Sequence, residues 1–131
     1  MKAILLAAGA SRRLQPLTKD TPKCLIRIGE KTILEHQLDA VDNAGIDEAV
    51  IVVGYLKDMI IDFLGKSYRG IRCITYIENP DFAVTNTIYS LYLARDFCLN
   101  DDFIYFNADV LFHRDVVSLL VMVPYHAAGR L

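Results

Sequence analysis

The sequence predicts an α/β protein: a three-layer, mostly parallel sheet with helices on both faces. Two observations carry the prediction. Ala3 to Ala7 and Ala49 to Val53 are continuous apolar runs of strand length, the pattern of strands covered on both faces. Between such runs the apolar period switches to helical, so strands alternate with helices, which demands crossover connections and parallel neighbours.

Each element follows in order. Ala3 to Ala7 is the first strand, broken by Ala8-Gly9-Ala10-Ser11. Cys24 to Ile28 is a short strand-like piece closed by Gly29-Glu30-Lys31. Thr32 caps the next helix, and Glu35, three residues on, completes a capping box. Ile33, Leu34, Leu38 and Val41 give that helix its apolar face, and Gly45 stops it. Ala49 to Val53 is the second strand, ended by Gly54. Lys57 to Leu64 is helical through Met59, Ile60, Phe63 and Leu64, with Gly65 as terminator. Arg72 to Ile77 is the third strand and enters the turn Glu78-Asn79-Pro80. A helix over Thr87 to Phe97 sets Ile88, Leu91, Tyr92 and Phe97 on one side. The fourth strand, Phe103 to Phe106, runs into Asn107-Ala108-Asp109, and a last helix covers Arg114 to Leu120 or beyond. With no repeat, low-complexity segment or linker, residues 1–131 read as one domain.

Composition narrows the function classes. The 131 residues are 53% hydrophobic with a mean hydropathy of +0.29, which argues for a filled core and against disorder. A net charge of −2 leaves no electrostatic footprint for nucleic acid, so any anion binding must be local. Cys24, Cys73 and Cys98 lack metal-like spacing and read as reduced, mostly buried thiols of a cytoplasmic protein. The opening MKAILLAAGAS has the ingredients of a signal peptide, but its apolar run is short and arginines follow directly, so it reads as a core strand. Val116 to Val123 is too short to span a membrane. His36, His113 and His126 share no metal spacing. His36, Asp39 and Asp42 read as helix surface, and Tyr89 and Tyr92 as packing residues. No P-loop or dinucleotide fingerprint is present.

Ligands of parallel sheets bind beyond the carboxyl ends of the strands, where the strand order switches. That rule gathers the loop after the first strand, the Asn79 to Ser90 segment and Asn107 to Asp109. Small residues at Ala8 to Ser11 let backbone N–H groups approach an anion, and Arg12, Arg13 and Lys23 stand behind them. Arg13 suits bidentate contact with phosphate, Lys23 a point contact, and the Asp109 carboxylate suits Mg²⁺. The plainer alternatives are a tight loop with surface arginines, an exposed lysine and an aspartate serving a turn.

The stretch Leu6 to Leu25, LAAGASRRLQPLTKDTPKCL, resembles the signature of nucleotidyltransferases that join an NTP to a phosphorylated small molecule, the sugar-1-phosphate nucleotidyltransferases and phosphocholine cytidylyltransferases. Gly9-Ala10-Ser11-Arg12-Arg13-Leu14 matches its centre, Pro16-Leu17-Thr18 the next piece and Thr21-Pro22-Lys23 the last. The resemblance implies a Rossmann-like sheet, a truncated form of the nucleotide-diphospho-sugar transferase fold. It implies that Leu6, Ala7, Ala8, Gly9 and Ser11 approach the nucleotide, that Arg13 and Lys23 neutralise phosphates, and that Asp109 binds Mg²⁺. Asn79, Asn86, Thr87 and Ser90 then fall in the base and ribose region. The version Asn86-Thr87-Ile88-Tyr89-Ser90 is more like phosphocholine cytidylyltransferases, which favours CTP and choline phosphate over a sugar 1-phosphate.

One departure accompanies the likeness. Catalytic domains of the family continue well past this aspartate, into further strands, an acceptor pocket and a second metal carboxylate, whereas here the sequence after Asp109 reaches only to Leu131. Two functions are therefore carried forward: a nucleotidyltransferase releasing pyrophosphate, and a non-enzymatic nucleotide-binding or interaction module. A family-like strand order of three-two-one-four leaves the fourth strand at an open edge, which predicts a homodimer burying that strand and the run Val116 to Tyr125.

Overall fold

The structure, a computed structural model, describes residues 1–10, 19–99 and 101–122. Its elements are β1 (Lys2–Ala7), a 3-10 turn (Lys23–Leu25), β2 (Arg27–Ile28), β3 (Lys31–Thr32), α1 (Ile33–Asn43), β4 (Glu48–Val53) and α2 (Lys57–Leu64). They continue through β5 (Cys73–Glu78), α3 (Thr87–Leu93), a 3-10 turn (Arg95–Cys98), β6 (Phe103–Asn107) and α4 (Val116–Met122). Ser11 and Arg13, and the tail from residue 123, lie outside the described residues.

Alternation along β1 builds the layers. Ala3 and Leu5 enter one core with Leu34, Leu38 and Val41 of α1, Ile60 and Leu64 of α2 and Val117 of α4. Ile4 and Leu6 enter the other, with Ala94, Leu91 and Phe97 of the α3 region. β4 divides the same way, Ala49, Ile51 and Val53 to the first core and Val50 and Val52 to the second. The sheet order is β5-β4-β1-β6, and every pair is parallel. This is the three-two-one-four order that the family resemblance implies. Partners Ala7, Val53 and Glu78 are level across three strands, so their carboxyl ends open on one edge.

Helix α1 starts as its residues dictate. Thr32 Oγ1 accepts the Glu35 N–H at 3.1 Å, and Glu35 Oε1 accepts the Thr32 N–H at 3.0 Å. Gly45, at φ +79°, closes it. No helix among the described residues is long and apolar enough to cross a membrane.

Several expectations are corrected. The first part of the strand-like piece Cys24 to Ile28, Cys24 and Leu25, belongs to a 3-10 turn, because the Pro22 and Lys23 carbonyls accept the Leu25 and Ile26 N–H groups locally. Only Arg27–Ile28 pairs, with β3. α2 buries Ile60 and Leu64 while Met59 and Phe63 are exposed. α3 is shorter than expected and leaves Ile88 and Tyr92 in solvent, where the Arg95 guanidinium lies 4.1 Å from the Tyr92 ring centroid. Cys24 is buried, but Cys73 is exposed and Cys98 only half-buried.

Asp39 is not simple helix surface. Its carboxylate takes Lys31 Nζ at 2.5 Å, the Tyr68 hydroxyl at 2.8 Å and Arg69 Nε at 3.2 Å. It thereby ties α1 to β3 and to a tight turn in which Arg69 holds φ +50°, a left-handed conformation costly for a residue with Cβ. Burial opposes ionisation of Asp39, but the hydrogen bonds from Lys31 and Tyr68 and the Arg69 charge outweigh it, holding the carboxyl below its ordinary range. A lowered carboxyl pKa contributes stability that is present above the unfolded value of about 4 and lost as pH falls through the folded value. Asp39→Asn should therefore be less stable than wild type at pH 7, with the gap closing below about pH 4. Urea unfolding at pH 7 and pH 3 measures both; a gap independent of pH contradicts the network.

Candidate functional site

Beyond the strand ends the loops remain stitched as if the sheet continued. Ala108 N–H donates to the Leu6 carbonyl at 3.0 Å, Tyr55 N–H to Ala8 at 3.0 Å and Asn79 N–H to Val53 at 2.7 Å. Gly54 sits where these loops meet. A Cβ there would fall 2.8 Å from Phe82 Cβ and 3.0 Å from the Ala8 and Asn79 carbonyl oxygens, so backbone closes in where only glycine fits. Tyr55 also donates its hydroxyl to the Lys19 carbonyl at 2.6 Å, and so touches the chain on both sides of segment 11–18.

A cleft of about 160 Å³ opens at the ends of β1 and β6. These two strands flank the point where the connections reverse direction: β1 leads outward to β4 and β5, and the chain then returns to the other side of β1. Leu6, Ala7 and Gly9 form one wall, Asn107, Ala108 and Asp109 another, and Pro22, Lys23, Cys24 and Thr87 complete it. Lys23 Nζ lies 3.5 Å from Asp109 Oδ2, and both side chains keep partial access to solvent. Among the described residues the cleft thus sets a cation, Lys23, beside a carboxylate, Asp109, next to a small-residue backbone.

Of the residues singled out in the sequence, Leu6, Ala7, Gly9, Lys23, Thr87 and Asp109 meet in this cleft. Ala8 packs in the second core. Asn79 and Ser90 are buried and spend their polar atoms internally: Asn79 Nδ2 donates to Ser90 Oγ at 3.1 Å and Thr85 Oγ1 at 3.0 Å, and its Oδ1 accepts the Asp81 N–H. They organise the loop after β5. Asn86 is the N-cap of α3, accepting the Tyr89 N–H at 3.1 Å. Ser11 and Arg13 fall outside the described residues. The roles of Gly54 and Tyr55 were missed; a glycine directly after an apolar strand was the available signal.

Burial, with the Asp109 charge adding to it, pushes the Cys24 thiol up to about 12, so it stays protonated at neutral pH and is a poor nucleophile. Among the described residues no three His, Cys, Asp or Glu side chains converge on a metal position. Asp109 is the one carboxylate among the described residues lining the cleft. A single carboxylate fits Mg²⁺, which is commonly held by one or two carboxylates together with substrate phosphates. A second hollow, about 300 Å³ among Lys31, His36, Asp39, Arg69 and Arg114, shares no residue with the cleft, and its Asp39 is already paired.

The chain matches the nucleotidyl transferase family over residues 2–129. It is 36% identical over 126 residues to the CTP:phosphoglutamine cytidylyltransferase of Campylobacter jejuni, covering 92% of this chain and 48% of the relative. It is 42% identical over 96 residues to the choline-phosphate cytidylyltransferase of Streptococcus pneumoniae, covering 73% of this chain and 40% of the relative. The solved CTP:phosphocholine cytidylyltransferase of Streptococcus pneumoniae superposes with a TM-score of 0.73 at 36% identity, over 88% of this chain and 50% of that one. The chain thus spans about half the length of these relatives or less.

The crowding at Gly54 predicts that Gly54→Ala loses about 1–3 kcal/mol, because two carbonyls and a Cβ must move together. Thermal unfolding checks the loss. An unchanged Tm would mean that the three loops are less tightly joined.

Proposed function

This chain belongs to the nucleotidyl transferase family, and on that premise we propose that it transfers a nucleoside monophosphate from an NTP to a phosphorylated small molecule, releasing pyrophosphate. CTP is the favoured nucleotide and choline phosphate the favoured acceptor, with a sugar 1-phosphate as the other candidate. The observation that carries the reading is the cleft, where the backbone of Leu6, Ala7 and Gly9 meets Lys23 and Asp109. The segment Asn86 to Ser90 and the two CTP-using relatives support the choice of CTP.

A phosphomonoester acceptor is already anionic, so the reaction needs charge neutralisation and in-line positioning more than a general base. The small-residue loop offers backbone N–H groups to the phosphates, and Arg13 takes the β- and γ-phosphates bidentately. Lys23, which rests on Asp109 in the free protein, turns to the reacting phosphates. Asp109 would hold Mg²⁺, which supplies charge neutralisation at the phosphate oxygens when bound. Thr87 borders the cleft on the side assigned to the nucleoside.

The second reading is a non-enzymatic nucleotide-binding or interaction module. The exposed, free Cys73 suits a reducing compartment, and we assign the protein to the cytoplasm. We also assign a homodimer. Among the described residues β6 has a strand neighbour on one side only, and Phe103 and Tyr105 are exposed along it.

Pyrophosphate release across the four NTPs, with choline phosphate and several sugar 1-phosphates, separates the two enzymatic substrates from the silent module. If turnover occurs, Asp109→Ala should reduce kcat by about 10²–10³ with the fold intact, and Lys23→Ala should lower kcat more than it raises KM. Arg13→Ala should weaken NTP binding while Arg12→Ala scarcely changes it. Wild-type behaviour in the Asp109 and Lys23 variants rules out this site.

Sedimentation tests the assembly separately. A dimer at micromolar concentration is expected; a stable, soluble monomer removes the idea.

A further inference from the structure

Gln37 is a fully buried polar residue on α1, set among Leu34, Leu38 and Val41. Burying an amide is costly unless its groups are bonded. Its Nε2 donates to two backbone carbonyls, Asn107 at 3.0 Å and Val110 at 2.5 Å, more than 60 residues away in sequence. Those carbonyls bracket Asp109. The same turn is closed by Val110 N–H to Asn107 O at 3.4 Å and pinned to β1 by Ala108 N–H to Leu6 O at 3.0 Å. Among the described residues the other end of the amide has no partner: Oε1 is buried and unbonded. An apolar residue of similar shape would pack α1 without that orphan acceptor, so packing alone does not call for glutamine here.

We propose that Gln37 is a positioning residue for Asp109: one buried amide clamps the turn that carries the carboxylate into the cleft. This rests on the reading of Asp109 as the Mg²⁺ ligand. The clamp acts through the backbone, since Gln37 lines neither hollow and its hydrogen bonds to the turn go to backbone carbonyl oxygens. Both N–H groups of one amide are used on opposite sides of the same residue. Rotation of the turn that swings Asp109 away from Lys23 must therefore break at least one of these bonds. A carboxylate that is to meet a hard, geometrically demanding ion gains from a fixed direction, and supporting partners of this kind typically matter about 10–100-fold in metal affinity.

The test compares Gln37→Met with Val41→Ala, a buried change on the same helix that leaves the amide in place. Mn²⁺ is titrated into each full-length protein in the presence of CTP and followed by electron paramagnetic resonance. Hydrogen exchange is measured on the peptide spanning Ala108 to Val110 without ligand. Gln37→Met should weaken Mn²⁺ binding about tenfold and speed exchange in the turn, and Val41→Ala should do neither at a comparable fall in Tm. Equal effects of the two variants reduce Gln37 to general stability and overturn the proposal. So does wild-type Mn²⁺ affinity in Gln37→Met, or an affinity loss with unchanged exchange. Asp109→Ala separates the underlying reading. If it binds Mn²⁺ like wild type, Asp109 is not the ligand and the clamp has nothing to position. If it loses Mn²⁺ while Gln37→Met retains it, only the clamp fails.

Discussion

Burial of β1 on both faces is the constraint on which the rest of the structure depends. Ala3 and Leu5 on one side and Ile4 and Leu6 on the other reach no more than a few per cent exposure. Each fully buried large side chain of this kind contributes about 1.5–3 kcal/mol. Such a strand needs neighbours on both edges and layers on both faces. β4 and β6 provide the first, and α1, α2 and α4 opposite the α3 region provide the second. The reversal of the connections beside β1 goes with that packing, and with it the cleft.

The cleft inherits its chemistry from where the strands stop. β1 ends in Ala7 and continues through small residues, so backbone lies open to a ligand. β6 ends in Asn107 and carries Asp109 two residues on. The 3-10 turn at Lys23–Leu25 returns the chain so that Lys23 faces Asp109. Opposite charges at 3.5 Å in a partly exposed setting hold each other only modestly, which leaves both available to a phosphate and a cation. The Gln37 clamp and the loop-to-loop hydrogen bonds supply the rigidity that this exposed pair lacks.

Local signals carried most of the secondary structure. The Thr32–Glu35 capping box, the stops at Gly45 and Gly65 and the apolar runs of β1 and β4 depend on neighbours within a few residues, and all appear where the sequence puts them. Distant partners decide what local signals do not show. Asp39 reads as an ordinary helix aspartate because Lys31, Tyr68 and Arg69 converge on it only in three dimensions. Asn79 and Ser90 are polar residues near a ligand loop in sequence, yet they pair with each other across a turn and a helix.

For the site, the sequence alone established the residue types and the strand ends that bear them: a small-residue loop after β1, a lysine behind it and an aspartate after β6. Motif spacing carries that information because each piece is short and local. The tertiary structure decided which of these pieces meet, and it added Gly54, Tyr55 and Gln37. Gly54 is required by the approach of Ala8 and Asn79, and Gln37 by carbonyls more than 60 residues away. Such requirements are set by distances between segments far apart in sequence, and those distances exist only once the sheet has formed.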